Sequence, residues 1–308
     1  MNAGTMDNAV SDLARVLENG KFALTAEVTP PLSGAPEALL EKARPFRGVV
    51  DAVNVTDGAS ARVHMSSLAA AALLAADGIE PILQMTCRYR NRIALESDIL
   101  GASALGVRNI LVLRGDDPSV GDHPEAKPVF DFESRELLQV AGAMATSGML
   151  PSGRKITPPP ALFLGAADTP IDPPDDWIPQ ALIDKADAGA RFIQTQFCFD
   201  TGIVRRYAQG LARAGLADRL SVLIGIGPLA SARSALWMRK NLWGTTIPDA
   251  IIERLEGARQ PKEEGIAICA ELLVELAEIP GIGGAHLMAP LNEAAVPAAV
   301  AQSGLRKA

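Results

Sequence analysis

A carboxylate stands near the end of an otherwise apolar run in FALTAEVTPP, residues 22–31, where Glu27 is soon followed by two prolines. Burial disfavours the charged form of a carboxyl, so a glutamate in such a place is a candidate general acid. Other polar residues hold equivalent places on short apolar runs. Thr56 and Asp57 close DAVNVTD, Thr86 lies near the end of EPILQMTC, RGDD (residues 114–117) follows NILVL, and Gln194 and Gln196 lie within FIQTQFCF. Taken singly, each has a bland explanation, because turn residues at strand ends are commonly polar and satisfied by local backbone. Taken as a set with matching positions, they read as the lining of one polar pocket with apolar walls.

Such a pocket needs a scaffold that brings strand ends together. Eight apolar runs, at 22–29, 51–57, 80–87, 109–115, 161–167, 192–199, 221–228 and 284–290, alternate with amphipathic helical stretches. That rhythm predicts an α/β fold, a (β/α)8 TIM barrel forming one domain over residues 1–308, with a helical extension over 1–20. Helices are expected at 65–76 and 179–190, the latter closed by Gly189, and two more, at 247–256 and 263–278, precede the last strand. Three Pro/Gly-rich stretches, 115–128, 147–160 and 168–176, read as long loops, the first and third at the active face of a barrel. A doubly wound open sheet shares the alternation, but no nucleotide fingerprint supports it. GIGGAH, residues 281–286, is read as preceding a strand and ends in His286, so it is rejected as a dinucleotide turn.

Alternation along the first strand puts Ala23, Thr25 and Glu27 on one face, the lumen, and Phe22, Leu24, Ala26 and Val28 on the other. On the sixth strand Gln194, Gln196 and Cys198 share a face opposite Phe197 and Phe199.

The formal charge of −7 argues against nucleic acid as a partner. LAAAALLAA is too short to span a bilayer, and the N-terminus has no signal-peptide pattern. Cys87, Cys198 and Cys269 form no CxxC pair, which points to a reduced, cytoplasmic protein without disulfides or structural zinc. His64, His123 and His286 share no ligand spacing, so no metal is expected, and neither GxxxxGK[ST] nor GxSxG occurs. The basic MRKN, residues 238–241, reads as a solvated helix face, while Trp177, Trp237 and Trp243 could be core or rim.

From about residue 20 to 292 the chain resembles the methylenetetrahydrofolate reductases. TAEVTPP, VNVTDGAS, QMTC, VLRGDDP, KADAGARFIQTQFCFD and IGIGPL occur in that family's order and spacing. The resemblance implies a barrel with noncovalent FAD at the strand C-termini. Its reaction would be ping-pong hydride transfer from NADH or NADPH, reducing 5,10-methylenetetrahydrofolate to 5-methyltetrahydrofolate. Glu27 matches the family's proton donor, and Asp116 the position beside pterin and flavin, catalytic and substrate-binding at once. Gln196 matches a glutamine shared by pterin and nicotinamide. Thr56, Asp57, Ala59, Gln84, Arg114, Gly115 and Lys185 match cofactor-binding positions. Lys185 reads equally well as a solvated helix lysine on the residues alone.

The chain departs from the family at its rim. Gln84 replaces a histidine, GAADTP (residues 165–170) replaces a tyrosine- and histidine-bearing stretch, Ser234 and Met238 stand near a substrate glutamine and a stacking aromatic, and Glu293 replaces an arginine. Two alternatives stay open beside the flavoenzyme. One is a flavin-free reductase with direct hydride transfer, the other a noncatalytic folate- or flavin-binding subunit. Self-association is left open.

Overall fold

Short runs that alternate large apolar residues with small or polar ones can bury one face under helices and turn the other into a barrel lumen. The computed structural model describes residues 10–290 and 292–306, and in it the eight runs do this. β1 (Ala23–Val28), β2 (Ala52–Val55), β3 (Pro81–Thr86), β4 (Asn109–Leu113), β5 (Phe163–Asp168), β6 (Phe192–Phe197), β7 (Ser221–Ile226) and β8 (Ile282–Leu287) pair in parallel, in sequence order. β8 returns to β1, closing a (β/α)8 barrel.

One helix crosses between successive strands up to β7: α2 (Pro36–Ala43), α3 (Ser67–Ala76), α4 (Arg92–Ala104), α5 (Ser134–Ser147), α6 (Gln180–Asp187) and α7 (Thr201–Arg213). α1 (Asp12–Glu18) precedes the barrel and α11 (Ala295–Ser303) follows it. Gly189 takes φ +107° just after the α6 C-cap Ala188, the left-handed exit expected of it. Before β8 the structure has three helices where the pattern gave two: α8 (Ala232–Asn241), α9 (Asp249–Gly257) and α10 (Pro261–Ala277). α8 escapes periodicity because only Ala235 of ARSALWMRKN is buried. Its start is instead fixed by a reciprocal Ser231–Ser234 capping box.

The two faces sort as the alternation requires. Leu24, Ala26 and Val28 join the core between barrel and helices, while Ala23 joins a smaller cluster inside the lumen. That cluster includes Ile82, Leu111, Phe163, Phe192 and Leu223, with the Phe163 and Phe192 rings stacked at 5.2 Å. Gly165 makes room for them, since a Cβ there would lie 2.3 Å from the Phe192 ring. Leu13, Ala14 and Leu17 of α1 plug this apolar end. Glu80 anchors the plug by accepting from the Asp12 and Leu13 amides at 2.9 and 2.8 Å. Burial raises the Glu80 pKa despite those donors. Of the stretch read as a helical extension, α1 covers 12–18, and its first nine positions lie outside the described residues.

Two expectations are corrected here. GIGGAH does not precede a strand, because Ile282 to His286 are part of β8 itself. Cys198 does not share the lumen face with Gln194 and Gln196. The β6–β7 register shifts between Gln194 and Phe197, and Cys198 packs in the outer core with Phe197 and Phe199.

Candidate active site

Above the apolar plug the lumen turns polar. Thr25, Asn54, Gln194 and His286, from β1, β2, β6 and β8, are all buried there. Asn54 and Gln194 exchange amide hydrogen bonds, Asn54 Nδ2 to Gln194 Oε1 at 2.6 Å and Gln194 Nε2 to Asn54 Oδ1 at 3.0 Å. Gln194 Nε2 also donates to Thr25 Oγ1 at 3.0 Å, and Thr25 Oγ1 lies 2.9 Å from His286 Nδ1. Register explains the meeting, since Thr25 is paired with His286 across β1–β8 and Glu27 with Asn54 across β1–β2.

Two residues on from Thr25, Glu27 rises on the same face into the mouth of the barrel. Its side chain is 21% exposed, and Gln84 Nε2 donates to Oε2 at 2.8 Å. His286 Nε2 lies 3.8 Å from the same oxygen. These residues open onto a cavity of about 1130 Å³ whose polar lining also includes Gln194, Gln196, Asp168 and Lys185. Leu111, Leu113, Ala167, Ile203 and Met288 supply apolar wall, with Trp177 and Trp243 on the sides. A cavity of this size with few convergent polar groups suits a flat heteroaromatic ligand. Gln196 spends its carbonyl on the Phe197 amide at 2.9 Å, and no described residue takes its side-chain N–H.

Lys185 reaches the cavity from α6, donating to the Ala167 carbonyl at 2.7 Å and to Asp168 Oδ1 at 3.2 Å. Tyr207 donates its hydroxyl to the other Asp168 oxygen. Burial, then the Asp168 charge, hold the phenol well above its usual range, so it stays a donor.

The remaining candidates, which lie at the tips of β2 to β4 except for Ser234 in α8, do not line this cavity. The Asp57 carboxylate accepts from Ser67 Oγ at 3.1 Å and from the Thr86 amide and hydroxyl at 2.8 Å each, and it pairs with Arg90. Arg88, 1% exposed, donates to the carbonyls of Asp57 at 2.8 Å and Gly58 at 2.7 Å, and to that of Asp116 at 3.3 Å. Gly115, at φ +85°, packs against Thr86 and Arg88, while Ala59 begins a half-buried turn. Thr56 Oγ1 is buried without a hydrogen-bond partner. Asp116 is 66% exposed, with its carboxylate 3.9 Å from Arg88. Arg114 pairs with Glu133 at 3.2 Å over the Phe130 ring. Ser234 Oγ is bonded to the Ser231 carbonyl within the α8 cap, Met238 packs on the outer core, and Glu293 lies just before α11. Thus Glu27, Gln84, Lys185 and Gln196 are brought together, and Thr56, Asp57, Ala59, Gly115, Asp116 and Ser234 are not.

Residues that the strand-end argument passed over include His286, Asn54 and Thr25, which form the floor of the site, and Arg88, which ties three strand tips. In the sequence His286 has a place only as a rejected metal ligand and as the residue that ends GIGGAH. Its parity with the eighth strand's lumen face was the available signal. Of the tryptophans, Trp177 packs tilted against Tyr207 with ring centroids 5.4 Å apart, Trp243 is an 83% exposed cavity edge, and Trp237 stands on the outside.

An extended cofactor such as FAD needs a slot for its ring and a cationic bend for its diphosphate. A second cavity of about 470 Å³ adjoins the first, and Leu113, Ala167, Ala181 and Lys185 line both. Its charged lining is Arg114, Arg135 and Lys185 against Glu133 and Asp184. The Arg114–Glu133 and Arg135–Asp184 pairs are largely solvent-exposed and hence weak, so a diphosphate can compete for those cations, whereas Lys185 is held by Asp168 in a mostly buried pair. The residues present fit the group through Gln84, Arg114 and Lys185.

The family model of methylenetetrahydrofolate reductase matches residues 12–144 and 168–304. A Schizosaccharomyces pombe protein named methylenetetrahydrofolate reductase 2 is 30% identical over 202 residues, 61% of this chain and 29% of its own. A Caenorhabditis elegans protein, probable methylenetetrahydrofolate reductase (NADPH), is 25% identical over 311 residues, 96% of this chain and 44% of its own. The chain therefore spans less than half the length of either relative. Among solved structures, an uncharacterized Clostridium thermocellum protein that binds two copies of 5-methyl-5,6,7,8-tetrahydrofolic acid superposes with a TM-score of 0.61 at 13% identity. That match covers 94% of this chain and 97% of the other, a likeness of fold.

Proposed function

This chain belongs to the methylenetetrahydrofolate reductase family, and we propose on that premise that it reduces 5,10-methylenetetrahydrofolate to 5-methyltetrahydrofolate. The observation that carries the reading is Glu27 in the mouth of the barrel, with one oxygen held by Gln84 and the side chain facing the cavity.

The five-membered ring of the substrate must open before its one-carbon unit can accept a hydride. Glu27, as the neutral acid, gives its proton to the departing amine nitrogen as that carbon–nitrogen bond breaks. The other nitrogen's lone pair then makes the carbon–nitrogen double bond of an iminium cation. A hydride delivered to that carbon returns the electron pair to nitrogen and leaves a methyl group. The hydride originates from NADH or NADPH. The unspent N–H of Gln196 orients the flat ring above Glu27. Asp116, exposed at the rim, adds a negative field there that solvent screens.

FAD, when bound, would supply a flat hydride carrier at the same mouth. Gln84 would stand at its ring edge, and Lys185 and Arg114 would hold its diphosphate. A second reading, hydride transfer directly from the nicotinamide, is favoured by the tips of β2 to β4, whose polar groups are largely spent on one another. The visible absorbance of the purified protein separates the two.

The function itself is tested by incubating the purified chain with methylenetetrahydrofolate and NADH or NADPH and quantifying 5-methyltetrahydrofolate by mass spectrometry. Enzyme-dependent product is expected. Folate binding without product under either nicotinamide, with and without added FAD, would sink the reading in favour of a binding subunit.

A further inference from the structure

The resemblance places Gln84 against a cofactor and gives His286 no task, yet both turn nitrogen toward one oxygen of Glu27. Gln84 Nε2 donates to Oε2 at 2.8 Å, and His286 Nε2 stands 3.8 Å from the same atom. Among the described residues Oε1 has no hydrogen-bond partner. The buried network behind His286 decides what its Nε2 carries. Gln194 Nε2 donates to Asn54 Oδ1 and Thr25 Oγ1, each at 3.0 Å, and also lies 3.3 Å from His286 Nδ1, a donor group facing that nitrogen. Thr25, accepting there, has its one hydroxyl proton left for His286 Nδ1 at 2.9 Å. Nδ1 is then an acceptor, and the neutral imidazole keeps its proton on Nε2, aimed at Glu27.

We infer that Gln84 and His286 are positioning residues for the proposed proton donor, confining the acid proton of Glu27 to Oε1. A carboxyl oxygen facing two N–H groups acts as acceptor, so the hydroxyl of the neutral acid belongs on the other oxygen. Gln84 makes the direct bond. His286, beyond direct hydrogen-bond range, adds the positive end of an N–H dipole whose direction the Thr25–Gln194–Asn54 network locks. The polar floor is a device for setting one tautomer, and through it which oxygen faces the substrate. This role rests on the function proposed above, but its geometry can be tested without turnover.

The direct test is two-bond ¹H–¹⁵N correlation of the chain labelled with ¹⁵N-histidine. Of the three histidines only His286 is buried, and His286→Gln assigns its signal. The expected result is the Nε2–H tautomer, collapsing toward a mixture in Thr25→Val. An Nδ1–H tautomer in the unaltered chain overturns the inference. In turnover, Gln84→Leu and His286→Leu are expected to lower kcat for folate reduction roughly 10- to 100-fold with little change in KM, the cost of a misplaced acid. His286→Gln, which restores an N–H, is expected to recover part of it. Unchanged kcat in both leucine variants overturns the role. If the unaltered chain makes no methylated folate, the proposed function fails, whereas the ¹⁵N pattern still decides the geometry.

Discussion

The strand tips of this barrel divide into two halves that look alike in sequence and differ in structure. On the side of β1 and β5 to β8, with Gln84 reaching in from β3, polar groups surround an open cavity and keep bonding capacity in hand. Glu27 has one direct donor on one oxygen, and Gln196 retains an unspent N–H. On the side of β2 to β4, the carboxylate of Asp57 serves Ser67, Thr86 and Arg90, and buried Arg88 serves three backbone carbonyls. A polar residue at a strand end becomes a site only where the protein leaves it something to bind. Where it does not, the same residue is a staple.

The contrast can be broken from either side. The largest effect is expected on the open side. Glu27→Ala should lower the rate of folate reduction by roughly 10²- to 10⁴-fold, the ordinary contribution of a general acid. Added formic acid, small enough for the space left, should restore part of that rate. On the closed side, Arg88→Met should cost about 3 kcal/mol of stability by urea unfolding, because it leaves the Asp57 carbonyl without its donor and removes a second donor from that of Gly58. A midpoint unchanged by that substitution would erase the distinction between the halves. Lys185→Met stands between the two. It should weaken binding of a diphosphate-bearing ligand about tenfold by equilibrium dialysis, as expected for one charge-assisted hydrogen bond. Smallest is Trp243→Ala at the exposed edge, for which a few-fold rise in the KM for folate is expected, with no shift in the unfolding midpoint.

Much of the frame was legible because period-two alternation is a local property. The lumen placement of Thr25 and Glu27 follows from their parity with Ala23, and the outer placement of Leu24, Ala26 and Val28 from theirs. That logic failed at Cys198, where an irregularity between β6 and β7 turns the chain and sends the thiol into the outer core. Burial there pushes it up to about 11, so it remains a protonated thiol. α8 was hidden because one buried residue leaves no periodic stripe. The site was legible residue by residue but not as an assembly. Which polar tips share a cavity depends on register across strands far apart in the chain, as with Gln84 meeting Glu27. The tightest staple, Arg88, lies in CRYRN, which carries no sign that its guanidinium turns inward.

The proton-donor role of Glu27 is tested most directly by Glu27→Gln, which keeps the shape and removes the acid. Binding of 5-methyltetrahydrofolate by calorimetry should stay within about threefold of the unaltered chain, while formation of methylated product in a single turnover falls at least 100-fold. Product formed at the original rate would show that ring opening draws its proton from elsewhere.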